Sequence, residues 1–303
     1  MVKKILSRLR NFWLQPLRSD ISRLHGHMIL LLRWIEQEYE IKEKLNDPMH
    51  LEHYGYKVYS QNDEDGIIQE IFRRIGTTNK IFVEFGVQNG LESNCHFLLF
   101  NGWNGLWIDG DEKMFKKLQE YFSGPLSTKQ LTAINAFITV ENINMLIGKE
   151  GNINGEIDLL SIDIDGNDYW VWEKITCVQP RVVVIECNPK FPPPCEWVME
   201  YNQSHVWDGS DNHGASLKSL ELLGSRLGYS LVGTNGINAF FVRNELVNDQ
   251  FAEPLTAESL YIWSVEKRNR SSGNAPKRYI GNKDLPASVM EMTEAEKTAL
   301  NKR

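Results

Sequence analysis

The sequence predicts a doubly wound α/β fold: a seven-stranded mixed sheet with helices on both faces and a helical extension ahead of it. Three observations carry this. Short apolar runs alternate with amphipathic stretches, as in a largely parallel sheet covered on both sides. The run Ile81–Phe85 passes through Gly86 and Gly90 into a second apolar segment, which reads as strand, tight loop and helix. The last two apolar runs, Tyr229–Val232 and Ala239–Val242, are separated only by a short turn around Asn235-Gly236. With no room for a crossover helix, those two strands must be antiparallel.

The elements follow in order. Residues 1–57 read as a helical arm. Ile5, Leu9, Phe12, Trp13 and Leu17 share one helical face beside Lys3, Lys4, Arg8, Arg10 and Arg18, and a second run holds Ile21, Leu24, Met28, Leu31, Leu32 and Ile35. Such an arm packs on its own domain, pairs with a second copy, or lies on an anionic membrane surface. Residues 58–250 form the main domain. Asn62 or Asp63 caps a helix carrying Ile67, Ile68, Ile71, Phe72 and Ile75, which stops at Gly76. The strand and glycine loop at 81–90 follow. Gly105 to Asp109 is a second strand and Leu131 to Asn135 a third, each with a helix behind it. Ile157 to Asp165 is a fourth strand, and Arg181 to Glu186 a fifth, apolar throughout and so buried on both faces. An irregular stretch from Cys187 to His213, rich in Pro, Trp and Asn, precedes a helix over Ala215–Leu227 and the closing hairpin. Residues 251–303 are a polar extension, expected to be partly disordered.

Composition limits the function classes. A net charge of −7 offers no basic excess for nucleic acid. The four cysteines show no CxxC pair or metal spacing and read as reduced core residues, which with the absence of a signal-peptide pattern suggests a cytoplasmic protein, membrane-peripheral if the arm binds lipid. No stretch reaches the roughly 18 apolar residues of a spanning helix.

The chemistry gathers at the strand ends. Glu84, Asp109 with Asp111, Asn135, Asp163 with Asp165, and Glu186 with Asn188 stand at five successive ones. Ligands of an open parallel sheet sit outside these ends. One such acid is an ordinary helix cap, but capping does not explain five in series. A carboxylate at the first strand tip repels a pyrophosphate and suits a ligand with hydroxyls or a positive charge. That favours S-adenosylmethionine (SAM) over NAD, and Gln88 also breaks the Gly-x-Gly-x-x-Gly spacing.

The loop Glu84-Phe-Gly-Val-Gln-Asn-Gly90, the acid Asp109 and the terminal hairpin resemble class I SAM-dependent methyltransferases, whose fold is Rossmann-like. Within them the chain resembles the FkbM-type group over roughly residues 58–245, with Gln88 in place of a loop asparagine. The resemblance implies that Glu84, Gly86, Gln88 and Gly90 line the methionine half of SAM. It implies that Asp109, with Asp111 as a second candidate, takes the ribose hydroxyls. Asn135 lies near the adenine or is a plain turn residue. Ser93 and Asn94, on the first helical turn, contact the SAM carboxylate or merely open the helix.

The acceptor side is read from residues 163–213. Asp163 and Asp165 are candidates for catalysis, and His213, on a polar loop at the same end of the sheet, is a candidate general base or a plain helix N-terminal residue. Asp165, Glu186 and Asn188 can hold Mg²⁺ or another divalent cation through oxygen ligands, as in the Mg²⁺-dependent branch of that superfamily. Trp197, Tyr201 and Trp207 offer a stacking platform for a sugar ring, or packing anchors. The expected function is O-methylation of a small polyhydroxylated acceptor, a sugar or glycan. The alternative is a binding or scaffold protein that keeps the fold without turnover.

Overall fold

The computed structural model describes residue 44 and residues 46–262. Most of the helical arm, with its proposed membrane or dimer contacts, and the extension beyond 262 lie outside the described residues. A compact unit begins at Pro48, ahead of the expected boundary at 58. Leu51, in a short helical turn over Leu51–Tyr54, is fully buried in its core.

The seven strands are β1 (Ile81–Phe85), β2 (Asn104–Asp109), β3 (Leu131–Asn135), β4 (Gly155–Ile162), β5 (Val178–Glu186), β6 (Tyr229–Thr234) and β7 (Asn238–Arg243). Their order across the sheet is β3-β2-β1-β4-β5-β7-β6. Strands β1 to β5 are parallel, and β7 runs antiparallel to both neighbours. The fold is Rossmann-like. The chain leaves β1 toward β2 and β3, then returns to place β4 on the other side. The strand order therefore reverses between β1 and β4, which is where such sheets open a ligand crevice.

Side chains alternate between two cores. Val83 and Phe85, Val183 and Ile185, and Phe241 belong to one. Phe82, Val182 and Val184, and Phe240 and Val242 belong to the other. Burying each of these side chains stabilises the fold by roughly 1.5–3 kcal/mol. Double-sided burial explains why the central strands read as continuous apolar runs rather than alternating ones.

Helix α1 (Glu64–Ile75) buries Ile67, Ile68, Ile71 and Phe72 in the second core. Its expected cap works differently from the sequence reading. Asp63 occupies the N-cap position but its side chain makes no capping bond. Asp65 Oδ2 instead accepts from the amides of Val58, Tyr59 and Ser60 at 2.7, 2.7 and 2.9 Å, folding the preceding segment onto the helix start. Asp63 and Glu64 accept from Asn235, which ties α1 to the turn between β6 and β7. Helix α2 is short, His96–Phe100. Helix α3 (Glu112–Tyr121) follows β2, and α4 (Asp168–Lys174) follows β4. Helix α5 (Leu217–Leu227) is capped by Ser216, packs Leu217, Leu220 and Leu223 into the first core, and stops at Gly228 in the left-handed conformation.

The stretch between β5 and α5 is irregular, as its composition suggests, but both ends are fastened. Asn188 donates its backbone N–H to the Ala215 carbonyl at 2.8 Å, and Val198 forms an isolated bridge with Ala215. Cys95, Cys177 and Cys195 are free thiols. Among the described residues no helix is long and apolar enough to cross a membrane.

Candidate functional site

Two pockets share the carboxyl edge of the sheet, and Gly86, Gln88, Asp163 and Asp165 line both. The larger, about 540 Å³, sits over the tips of β1 and β2. Asp109 and Asp111 lie on one side of it, and Met114, Phe137 and Ile138 supply apolar wall. The second, about 340 Å³, is polar and holds Glu84, Ser93, Asn94, Glu186 and Asn238.

The loop after β1 is shaped by two contacts. Gly86 has φ +71, and a Cβ there would stand 1.5 Å from the Asp163 carbonyl oxygen. Only glycine lets the β1 and β4 tips approach this closely. Gly90, with φ +78, faces inward: its Cβ would meet the Trp107 ring at 2.6 Å. Gly90 is not among the lining residues of either pocket. It packs the loop onto the core.

Asp109 is buried and holds the loop from the other side. Its Oδ2 accepts from the Gln88 amide at 2.6 Å and its Oδ1 from the Asp111 amide at 2.8 Å. Each oxygen keeps a second lone pair for a ligand hydroxyl. Burial raises its pKa, opposed by those two amides. Asp111 caps α3, accepting from the Lys113 and Met114 amides, and is exposed at the pocket rim. Asn135 donates its side-chain amide to the Asp109 carbonyl at 2.9 Å and is not among the pocket residues, so it buttresses the acid's backbone instead of facing an adenine.

Glu84 is almost wholly enclosed. Its carboxylate accepts from the amides of Asn94 (2.7 Å) and Cys95 (3.2 Å) and from the Trp107 indole (2.8 Å). Burial pushes its pKa up to about 7, against the downward pull of the Asn94 amide and of the Cys95 and Ser93 side chains. This capture of two amides delays the helix. Ser93 and Asn94 therefore lie in the turn before α2, not in its first turn as the sequence suggests. They still line the polar pocket, and Asn94 donates its side-chain amide to Ser161 Oγ at 3.1 Å.

The loop after β4 is stapled by a residue the sequence reading passed over. Asp168, fully buried, accepts from the amides of Ile164 and Gly166, both at 2.8 Å. The spacing Asp163-Ile-Asp-Gly-Asn-Asp168 offers three acids for one turn, and sequence alone does not say which one closes it. Asp165 takes φ +53 and stays available. His205 Nε2 meets the Asp165 carbonyl at 3.2 Å, necessarily as donor.

Asp165, Glu186 and His213 converge. One ligand atom from each lies within 4.8 Å of the others. Asn188 does not join them as the sequence suggests. Its side-chain N–H groups go to the carbonyls of Asp211 and His213 at 2.8 and 2.9 Å, and its Oδ1 accepts from the Lys190 amide. Asn188 thereby positions His213. Loss of hydration, then the charges of Glu186, Asp165, Asp168 and Glu84, push the Asp163 carboxyl well above its usual range. Burial, then Asp168 and Asp165, do the same to Glu186.

Of the expected aromatic platform, only part faces outward. Trp197 is fully buried and stacks on Phe191 with centroids 4.4 Å apart, so it is core. Tyr201 donates its hydroxyl to Glu141 at 2.9 Å. Trp207 is 47% exposed, with its ring 6.1 Å from that of His213.

Among solved structures the chain is similar to the N-terminal domain of EvdMO1 with SAH bound, at 12% identity over 69% of this chain and 94% of that one, with a TM-score of 0.37. It is also similar to a putative caffeoyl-CoA O-methyltransferase from Staphylococcus aureus, at 14% identity over 69% and 99%, TM-score 0.40. A third is an S-adenosylmethionine-dependent methyltransferase from Clostridium acetobutylicum, at 12% identity over 58% and 88%, TM-score 0.36. The likeness is one of fold. No family model matches the chain, and no curated protein matches it. The architecture stands on the strand order itself.

Proposed function

We propose that the chain is a SAM-dependent O-methyltransferase of the FkbM-like type, acting on a hydroxyl of a small polyhydroxylated acceptor such as a sugar or glycan end. One observation carries the reading. Asp109, fixed by the Gln88 and Asp111 amides, borders a cavity also lined by the apolar Met114, Phe137 and Ile138. A carboxylate with two open lone pairs suits a ribose diol, and the apolar wall suits a purine.

SAM supplies a methyl group on a positively charged sulfur. Asp163, at the seam between the two pockets, faces that charge. Ser93 and Asn94 sit where the amino-acid end of the ligand reaches the polar pocket. Gly86 sets the depth of the seam. The acceptor hydroxyl is placed beside Asp165, Glu186 and His213, where its proton is taken up as the new O–C bond forms and the S–C bond breaks. The exposed Trp207 ring next to His213 provides a face for the acceptor ring.

Isothermal titration with SAM tests the reading. Binding is expected for the wild-type chain and strongly weakened in Asp109→Ala. No heat at millimolar SAM overturns it. The acceptor class is tested by mass spectrometry of glycans from cells with and without the gene, where a missing +CH₂ species is the expected result.

A further inference from the structure

We propose that the polar pocket holds an ammonium group of the acceptor between Glu186, Asp165 and the Asn238 amide oxygen, which makes the acceptor an amino sugar. The reaction rests on the methyltransferase reading. The ammonium site stands on geometry at the tips of β4, β5 and β7.

Charge is the first observation. Glu84, Glu92, Asp163, Asp165 and Glu186 all line this pocket, and among the described residues no lysine or arginine lines either pocket. Glu84 is taken up by protein donors, and Asp163 faces the sulfonium in the proposed pose. Asp165 and Glu186 are left over. Two carboxylates at close quarters repel a phosphate or a uronic acid and attract a positive group.

Asn238 is the second, independent observation. It is 5% exposed and pairs in register with Glu186 across β5 and β7, so the two side chains are neighbours on one face. Its side-chain nitrogen donates to Glu64 Oε1 at 3.0 Å, which points the amide oxygen away from α1. That oxygen is buried with no hydrogen-bond partner, and so is Glu186 Oε2. Both residues line the polar pocket. Buried acceptors are normally paired, so two neighbouring orphans mark the place of a donor that comes with the ligand.

An ammonium matches this set in number as well as in charge. It carries three N–H donors and no acceptor. Glu186 Oε2, Asn238 Oδ1 and an Asp165 oxygen are three acceptors, and no protein donor competes for the first two. A neutral hydroxyl, with one donor, leaves most of the set unmatched.

The same grip orients the reacting group. His213 Nδ1 lies 3.6 Å from Glu186 Oε2 and also lacks a hydrogen-bond partner. An acceptor held at Glu186 by its ammonium presents the hydroxyl on the adjoining carbon to that ring nitrogen. The hydroxyl oxygen takes the methyl carbon as the S–C bond breaks, the bonding pair stays on the sulfur of S-adenosylhomocysteine (SAH), and the proton passes to His213. Asp165 and Glu186 bind the acceptor and take no proton.

Saturation-transfer NMR on the full chain, with EDTA present, tests the site. At about pH 6.5 an amine with a pKa of about 8 is an ammonium. The probes are methyl glucosaminide and methyl galactosaminide, their N-acetyl forms, methyl glucoside and glucose phosphate, each with and without saturating SAH. The free amines should bind roughly 10-fold or more tighter than the N-acetyl and neutral sugars, and glucose phosphate should not bind. Glu186→Gln should weaken the amines roughly 10- to 100-fold, and Asn238→Ala, with its fold checked by circular dichroism, roughly 10-fold. The surface variant Glu112→Gln should change nothing. Equal binding of amines and N-acetyl forms, binding indifferent to both pocket variants, or no amine binding at millimolar concentration overturns the site. Displacement of the amines by SAH also overturns it, because the ammonium would then be the cofactor's own. SAM titrated in the same samples separates the two proposals: SAM binding with no preference for amines keeps the methyltransferase reading alone, and amine binding without SAM keeps the site alone.

Discussion

Glu84 and Trp107 face each other in register across β1 and β2, and the indole donates a 2.8 Å hydrogen bond to the carboxylate. The first strand tip is therefore held to the second by a side-chain bond as well as by the ladder. The same carboxylate also gathers the amides that precede α2.

The buried position of Glu84 makes stability depend on pH. Its pKa rises from an ordinary 4.5 to about 7 in the fold. The contribution is complete below 4.5 and is lost as pH climbs through 7, because the unfolded chain gives up its proton first. The loss amounts to about 3 kcal/mol. Thermal melts should show Tm falling from ~pH 5 to ~pH 8, and a shallower fall in Glu84→Gln. Equal slopes in the two proteins would contradict the assignment. Asp109 and Asp168, also raised chiefly by burial, act in the same direction.

Asp109→Asn keeps one acceptor for the loop and loses the charge. Hydrogen bonds to a charged group contribute about 1.5–3 kcal/mol each. SAM affinity measured by calorimetry should drop by roughly 10- to 100-fold, with Tm changed much less than in Asp109→Ala.

Gly86→Ala drives a methyl group into the Asp163 carbonyl and forces a left-handed backbone on alanine. A loss on the order of 2–4 kcal/mol is expected, with SAM binding abolished. Gly76→Ala, whose added Cβ meets nothing within 4 Å, is the control for the backbone penalty alone. Similar Tm losses in the two would remove the steric argument.

Trp207→Ala should leave SAM affinity and Tm unchanged and raise KM for the acceptor, by roughly tenfold if a stacked ring is lost. Steady-state kinetics with a confirmed acceptor measures this. A change in kcat with constant KM would place the ring elsewhere in the reaction.

Asp158 governs stability alone. It is fully buried, accepts from the amides of Thr78, Asn79 and Lys80, and lies 3.2 Å from the Arg181 guanidinium. Asp158→Ala strands that cation and three donors. Chemical denaturation should show a loss of about 3–5 kcal/mol.

The sheet was legible because double-sided burial writes itself as apolar runs, and the hairpin because Asn235-Gly236 leaves no room for a crossover. The crevice was legible because acids recur at strand ends. What sequence concealed is long-range partnership. Nothing local to Asn188 shows that its amide closes on residues 211 and 213. Nothing local to Ser93 and Asn94 shows that Glu84 captures the amides of Asn94 and Cys95 before a helix forms. Asp168 could have been suspected as the staple from Gly166-Asn167 just ahead of it, but not chosen over Asp165. Trp197 and Trp207 look alike as letters, and only packing separates the core ring from the exposed one.

Asn188, Ala215 and Val198 fasten both ends of the segment between β5 and α5 to the body of the protein. The consequence is evolutionary. Residues 200–209 form an insert on this frame that leans on the loop after β4, through Asn202 on Asn167 and His205 on the Asp165 carbonyl. His205 and Val206 also line the larger pocket, so a change made in this insert to suit a new acceptor is felt at the cofactor crevice as well.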